Sequence, residues 1–388
     1  MIYDVAIVGA GPAGSWLARE LSKNNKSVIL FERATEIGDP NFSSAGSPYY
    51  IKQKFDIPED SIAATWNIFK IVGPTHDVSW SYPETKGLVL DFRKFKKNFI
   101  EQAQLFGTVT KLGTSVKKII EGVPAILVTE KDEEYAAKII VDSSGSTGVL
   151  AKQLGLRKSI PGAPSIGIEI ICEILDVPKD QNKTIEIYLG KTWAPHGYAW
   201  IFPMGINRFK FGICAYHISD YDKNYNLDSA LNNFISQIPW AKKYNVIEKH
   251  GGLIYGQGGI KNHIQNNVII IGDAADQVNP LGGEGIRHAL QSAMFASEVI
   301  IKSLDTGNTA ILKEYNKLWS KYIGRKWLYS TWISKIAYHS YTDPVLDSFF
   351  EKAKKLTPNE AFEIIFEYNF LYKLKSFLMH RKLWAPRQ

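Results

Sequence analysis

Cysteine is scarce. The 388 residues include two, Cys172 and Cys214, each inside an apolar run of strand type. So thin a supply favours two buried thiols over a disulfide or a metal site, and it fits a reducing compartment. Long hydrophobic stretches are missing as well. No run of eighteen apolar residues occurs, which excludes a membrane-spanning helix. The chain enters its first strand with no basic-plus-apolar leader before it, so a cytoplasmic place, at most peripheral to a membrane, is expected. Repeats, low-complexity segments and nucleic-acid-binding motifs are absent, and no nucleic-acid partner is expected. What remains is a globular composition, 45% hydrophobic and 22% charged, in a chain long enough for more than one core. The net charge of +7 reads either as a lysine-rich surface or as a field suited to anionic lipid or an anionic substrate.

The informative stretch lies at the start. Val5–Val8 is an apolar strand run, followed by the turn Gly9-x-Gly11-x-x-Gly14, a helix-period segment with Trp16, Leu17 and Leu21 on one face, and a second apolar run ending in Glu32. This is a βαβ dinucleotide fingerprint. Gly9 permits the tight turn, Gly11 lets a pyrophosphate approach the backbone, and Gly14 lets helix and strand pack closely. The helix start offers free N–H groups and the positive end of its dipole. Glu32 is placed to accept from ribose hydroxyls. The pattern alone does not separate FAD from NAD. No second fingerprint for a nicotinamide occurs; Gly256-Gln257-Gly258-Gly259 lacks the strand–turn–helix setting.

Along the chain, residues 34–60 form a long loop rich in turn residues. Residues 66–90 alternate, with Val78, Trp80 and Tyr82 on one face. Lys94–Phe106 reads as a helix, and Thr108–Val116, Ala125–Thr129 and Ala137–Val141 as strands. The last of these runs into Asp142-Ser-Ser-Gly145. Four strand-type runs with little helix between them, Ser165–Leu175, Thr184–Leu189, Tyr198–Pro203 and Arg208–Tyr216, predict an inserted antiparallel sheet. Asn267–Ile271 is a buried strand leading into Gly272-Asp273 and then Pro280-Leu281-Gly282-Gly283-Glu284-Gly285-Ile286, with a long helix after it. Asp273 is placed to accept from the sugar chain of a cofactor, and the glycines bare N–H groups at the helix start. Residues 311–388 are helical by pattern and rich in aromatics, among them Trp319, Trp327, Trp332 and Trp384, with Lys373, Lys375, Arg381 and Lys382 interspersed. They are either a layer packed on the core or a membrane-surface contact.

The fold expected is α/β: a Rossmann-type FAD-binding domain from 1–160 and 250–305, an inserted antiparallel-sheet substrate domain at 161–249, and a C-terminal helical region at 306–388. GAGPAG with Glu32, Asp142-Ser-Ser-Gly145 and GDAADQVNPLGGEGI, in that order, resemble the para-hydroxybenzoate-hydroxylase-like FAD flavoproteins over roughly residues 1–300. The resemblance implies that Gly9, Gly11, Pro12, Ala13, Gly14, Glu32 and Arg33 hold the ADP half of FAD. It implies that Ala45, Gly46 and Gly145 lie along the cofactor, that Gly272 and Asp273 meet the ribityl–pyrophosphate region, and that Pro280, Gly282, Gly283, Gly285 and Ile286 lie along the flavin ring.

Within that group, Tyr198-Ala-Trp200-Ile-Phe202-Pro203 resembles the YxWxFP motif of the geranylgeranyl reductases, which saturate isoprenoid double bonds. The resemblance implies hydride transfer from reduced FAD to a prenyl chain on a lipid or quinone, with NAD(P)H or a ferredoxin as electron donor. His196, Tyr198, Trp200 and Phe202 are the candidate substrate-lining residues, and Tyr198, Trp200 and His288 the candidate catalytic ones. The chain departs from the family pattern at Ala45, where many members carry cysteine, at Met204, where many carry lysine, and at Arg93, which stands one position off. Two other readings share the fold: an FAD monooxygenase or halogenase, and a non-redox prenyl-binding or cyclase-type protein.

Overall fold

The computed structural model describes residues 1–157, 165–216, 225–254, 259–335, 338 and 343–372. Lys373, Lys375, Arg381, Lys382, Trp384 and the Gly256–Gly258 segment lie outside the described residues.

The first sheet is built on Ile2–Val8, whose alternation sends Val5 and Ile7 to one core and Ala6 and Val8 to another. It pairs in parallel with Val28–Phe31 on one side and Glu134–Asp142 on the other. Val109–Lys111 extends one edge, and Val268–Ile270 then Ile264–Gln265 the other. Pro12–Lys23, Phe92–Leu105 and Ile286–Thr306 pack on one face. A ribbon of Val116–Ile120 and Ala125–Thr129 continues from Glu134–Asp142. The single strand expected over Thr108–Val116 is therefore two strands. Gly113, at φ +60°, breaks it, and the two halves pair with different partners.

The second sheet runs in the order Asn245–Ile254, Ser165–Glu173, Arg208–Ala215, Gly197–Pro203, Thr184–Leu189, Ile68–Val72, Asp77–Ser81. It is not confined to 161–249, as the sequence suggested, nor is it wholly antiparallel. Thr184–Leu189 pairs in parallel with Ile68–Val72, so two strands from the early excursion complete the sheet. The alternating run of Val78, Trp80 and Tyr82 is buried against the C-terminal helices Asp343–Ala353 and Pro358–Ile365. Glu314–Ile323 and Lys326–Lys335 cover the first sheet's helical layer, with Tyr315, Trp319 and Trp327 in its core. Most of the aromatic tail that is described is thus packing.

One buried titratable group sits at this seam. His263 Nδ1 lies 3.0 Å from Asn316 Oδ1, and its ring stands edge-on to Tyr315 and Trp319. Burial pulls its pKa from 6.5 down to about 4, so the folded ring is neutral. An unfolded histidine binds its proton first, so stability is complete above about pH 6.5 and is lost as pH falls toward 4, by roughly 3 kcal/mol. Urea unfolding at pH 7 and pH 4.5 should show this loss in the wild type and a flatter pH dependence in His263→Gln.

Candidate active site

Two helices begin at one cavity without side-chain caps. Pro12–Lys23 starts after Gly11, and Ile286–Thr306 starts after Gly285; neither N-cap residue supplies a side-chain acceptor. The first N–H groups of a helix need partners from outside it. Both starts open on a cavity of about 590 Å³, a size suited to a cofactor or small ligand. The end of the Val268–Ile270 strand lies against the first helix start: a Cβ at Gly272 would come within 3.2 Å of Ala13 Cβ.

The glycines of the first turn have three different jobs. Gly9 sits at φ +96°, and a Cβ there would stand 2.5 Å from the Ser143 carbonyl oxygen. A Cβ at Gly14 would stand 2.0 Å from the Gly9 carbonyl oxygen, so the helix lies on the turn. At Gly11 the space is open for 4 Å. That volume faces the uncapped helix start, where a phosphate belongs. Gly9, Gly11, Pro12, Ala13, Glu32, Arg33, Gly46, Gly145, Gly272, Asp273, Gly282, Gly283, Gly285 and Ile286 all line the cavity. Glu32 is oriented by the backbone: its two oxygens accept from Ala10 N–H at 2.8 Å and Ala34 N–H at 2.9 Å. Each oxygen keeps a second lone pair. Asp273 also lines the cavity, and its carboxylate has no hydrogen-bond partner among the described residues; burial raises its pKa, against the pull of Arg157. Free donors at two helix starts, an open Gly11 and an unpaired Asp273 are the complement of a dinucleotide with a hydroxylated chain.

Other expected residues are placed elsewhere. Asp142 does not face the cavity; its buried carboxylate accepts from the N–H groups of Ser144, Leu150 and Ala151, at 3.0, 2.9 and 2.8 Å, and so fixes the next helix start. Gly14 and Pro280 are buried beneath their turns rather than exposed to the cavity, and Ala45, at φ +56°, is buried behind Gly46.

The opposite wall is the Gly197–Pro203 strand. Its alternation sets Tyr198, Trp200 and Phe202 on one face, and all three line the cavity. The Tyr198 hydroxyl donates to the Gly282 carbonyl at 2.9 Å, joining this wall to the second turn. Burial raises its pKa far above that of a free phenol, so it keeps its proton. The Phe202 ring lies on Gly46, where a Cβ would stand 2.7 Å from it. His196, two residues before Tyr198, does not share that face. It precedes the strand, and its ring packs at 4.6 Å on Tyr225. His288 is likewise turned away. Ile286 and Ala289 take the cavity face of their helix, leaving His288 against Tyr322 and Trp327, with burial holding it neutral.

Sequence reasoning passed over four polar residues here. Glu284 lines the cavity, binding Arg287 at 2.7 Å and the Tyr368 hydroxyl at 2.9 Å. Glu169 and His250 line it too, with the buried Lys210 behind them. Their one signal was a carboxylate and a lysine on inward positions of strands otherwise apolar.

A family model described as the geranylgeranyl reductase catalytic domain matches residues 166–254, and one for an NAD(P)-binding Rossmann-like domain matches residues 7–44. Among solved structures, a geranylgeranyl bacteriochlorophyll reductase-like protein from Thermoplasma acidophilum superposes with a TM-score of 0.85 at 23% identity, covering 97% of this chain and 99% of that one. The flavin-dependent halogenase CmlS superposes with a TM-score of 0.71 at 17% identity, covering 98% of this chain and 78% of its own. These likenesses establish the fold, and the cofactor that fits the cavity is FAD. Gly11→Val should therefore fold with nearly wild-type stability yet emerge without its yellow colour, because the new side chain fills only the phosphate's space. Gly14→Val should instead be destabilised by roughly 1–3 kcal/mol or more through overpacking; thermal unfolding with flavin absorbance separates the two. Digeranylgeranylglycerophospholipid reductase 3 of Methanosphaera stadtmanae is 30% identical over 361 residues, spanning 89% of both chains, and by that likeness the protein belongs to the geranylgeranyl reductase family of FAD-dependent oxidoreductases.

Proposed function

We propose that this protein saturates carbon–carbon double bonds of geranylgeranyl or longer polyprenyl chains carried on a membrane lipid. The observation that carries this reading is the facing of two walls in one cavity. The Gly282–Ile286 turn stands on one side and the Tyr198, Trp200 and Phe202 rings on the other, with Phe69, Ile185, Ile187 and Phe366 extending the apolar lining. Flat rings and branched aliphatics suit a polyprenyl chain, whose burial contributes roughly 0.8 kcal/mol per CH₂. FAD, once reduced, supplies the hydride. Tyr198 holds a proton at the same wall, and its bond to Gly282 fixes that hydroxyl beside the turn. Trp200, whose indole N–H donates to Glu169 at 2.6 Å, is held in place at the same wall. The names of the curated relatives favour a digeranylgeranyl glycerophospholipid over an aromatic substrate, and so favour reduction over halogenation or hydroxylation.

Dithionite-reduced protein offered such a lipid should yield products heavier by two hydrogens per saturated bond in mass spectrometry, whichever donor serves in the cell. Tyr198→Phe should bind FAD and lipid normally but turn over about 100-fold more slowly. Unchanged lipid with fully reduced flavin would refute the assignment; an undiminished rate in Tyr198→Phe would move the proton to another group.

We also propose that the enzyme meets its lipid at the membrane surface through the Lys326–Lys335 helix. Leu328 and Trp332 are exposed one turn apart, at 68% and 64%, and Arg325, Lys326 and Lys335 are exposed beside them. Apolar anchors rimmed by cations suit an anionic headgroup layer. Sedimentation with phosphatidylglycerol vesicles should exceed that with phosphatidylcholine vesicles, and Leu328→Glu/Trp332→Glu should abolish the difference without changing FAD content.

A further inference from the structure

Four adjacent strands of the second sheet carry one lateral row of residues. Glu169 stands opposite His250 on one side and Gly212 on the other, and Gly212 stands opposite Trp200. Glycine is required at 212: a Cβ there would lie 2.0 Å from the Trp200 ring. The indole crosses that gap and its Nε1–H donates to Glu169 Oε2 at 2.6 Å. The other oxygen, Oε1, lies 2.9 Å from His250 Nε2 and 3.9 Å from Lys210 Nζ. A carboxylate only accepts, so Nε2 carries the hydrogen in that bond. Glu169 and Lys210 are 3% and 1% exposed, which makes them a buried ion pair.

Lys210 points a second way. Its ammonium donates to the carbonyl of Ser43 at 2.7 Å and to that of Ser44 at 3.2 Å. Those residues precede Gly46, on which the Phe202 ring rests, and both serines line the cavity. The same segment is tied at its start by Lys96 Nζ to the Pro40 carbonyl at 2.6 Å and by Asn41 to Glu248 at 3.0 Å. One carboxylate thus reaches the aromatic wall directly and the cofactor-side loop through one lysine. Burial weakens the ammonium's hold on its proton, and the charge of Glu169 opposes that loss.

We infer that Glu169 and Lys210 form a positioning pair that fixes the Ser43–Gly46 segment and the Trp200 ring relative to each other, setting the gap in which prenyl chain and flavin meet. Neither residue has to exchange a proton for this. Their contribution is geometric: two walls drawn from distant parts of the sequence are referred to one buried charge. A displacement of about 1 Å between reacting groups costs on the order of 100-fold in rate. The inference rests on the reductase reading for its rate consequence but not for its structural one.

The test is the double variant Glu169→Gln/Lys210→Met, made in the full chain and loaded with FAD. Removing both members of a buried pair for neutral groups of similar shape is often harmless to stability, whereas removing one strands the other charge. The double variant should melt close to wild type and retain full FAD occupancy. Its flavin bands in visible circular dichroism should change, and kcat on the prenyl lipid should fall about 10- to 100-fold. Either single variant should melt lower than the double. A folded, flavin-loaded double variant with wild-type dichroism would overturn the inference, as would one with wild-type kcat. A double variant that fails to fold would also overturn it, because the pair would then serve stability alone. If the wild type reduces no lipid, the reductase reading falls while the dichroism still decides the pair.

Discussion

Two helix starts share one cavity and neither is capped by its own chain. That arrangement costs stability, because helix N–H groups without partners are paid for elsewhere in the fold. Gly9 and Gly14 press helix onto turn, Gly11 leaves the space at the helix start open, and Gly272 brings the end of its strand against Ala13. The central parallel strands end at this crossing, so the charge-seeking ends of both helices and the unpaired carboxylate of Asp273 are referred to one rigid edge. A cofactor bearing a pyrophosphate and a string of hydroxyls satisfies all of them at once.

The second sheet is then fixed to that edge rather than hung from it. Its completion needs Ile68–Val72 in parallel with Thr184–Leu189, so residues leaving the first sheet's territory are built into the second before the chain returns. The Tyr198–Gly282 bond adds a direct joint at the cavity itself. The Gly197–Pro203 wall is thus held within its sheet by the backbone ladder and joined to the second turn by a side chain. This division of labour suits the chemistry. Apolar recognition of a long chain is non-directional, so orientation has to come from the frame that holds the apolar surface.

Local features of this design were legible in the sequence. The glycine turns could be read because their spacing falls within one strand–turn–helix unit, even though Gly9 answers a contact with the distant Ser143, and Tyr198, Trp200 and Phe202 because strand alternation alone puts them on one face. Failures came where placement depends on register between distant segments. Glu169, Gly212, Trp200 and His250 come from four separate strands, and nothing local announces that they form a row. His196 shares the parity of Tyr198 yet turns away, because the strand begins only at Gly197. His288 sits beside the flavin motif in sequence, but helical rotation carries it to the opposite face. Gly113 split an expected strand by adopting a positive φ that an alternating pattern does not reveal.

The lining drawn from the C-terminal helices shows the same logic carried by charge. Ile365, Phe366 and Tyr368 line the cavity, although they come from a segment more than sixty residues beyond the second turn. Arg287, 3% exposed, holds them there: it donates to the Phe366 carbonyl at 2.6 Å, to Glu367 at 2.8 Å, to Glu284 at 2.7 Å and to the Tyr50 hydroxyl at 2.7 Å. A buried guanidinium is tolerable only when it is well paired, and here both Nη groups are bonded while the buried Nε has no partner among the described residues. Because Glu284 lies in the Gly282–Ile286 turn, the same arginine ties that turn to the segment carrying Phe366 and Glu367. Burial of the cation and placement of this lining segment are therefore coupled.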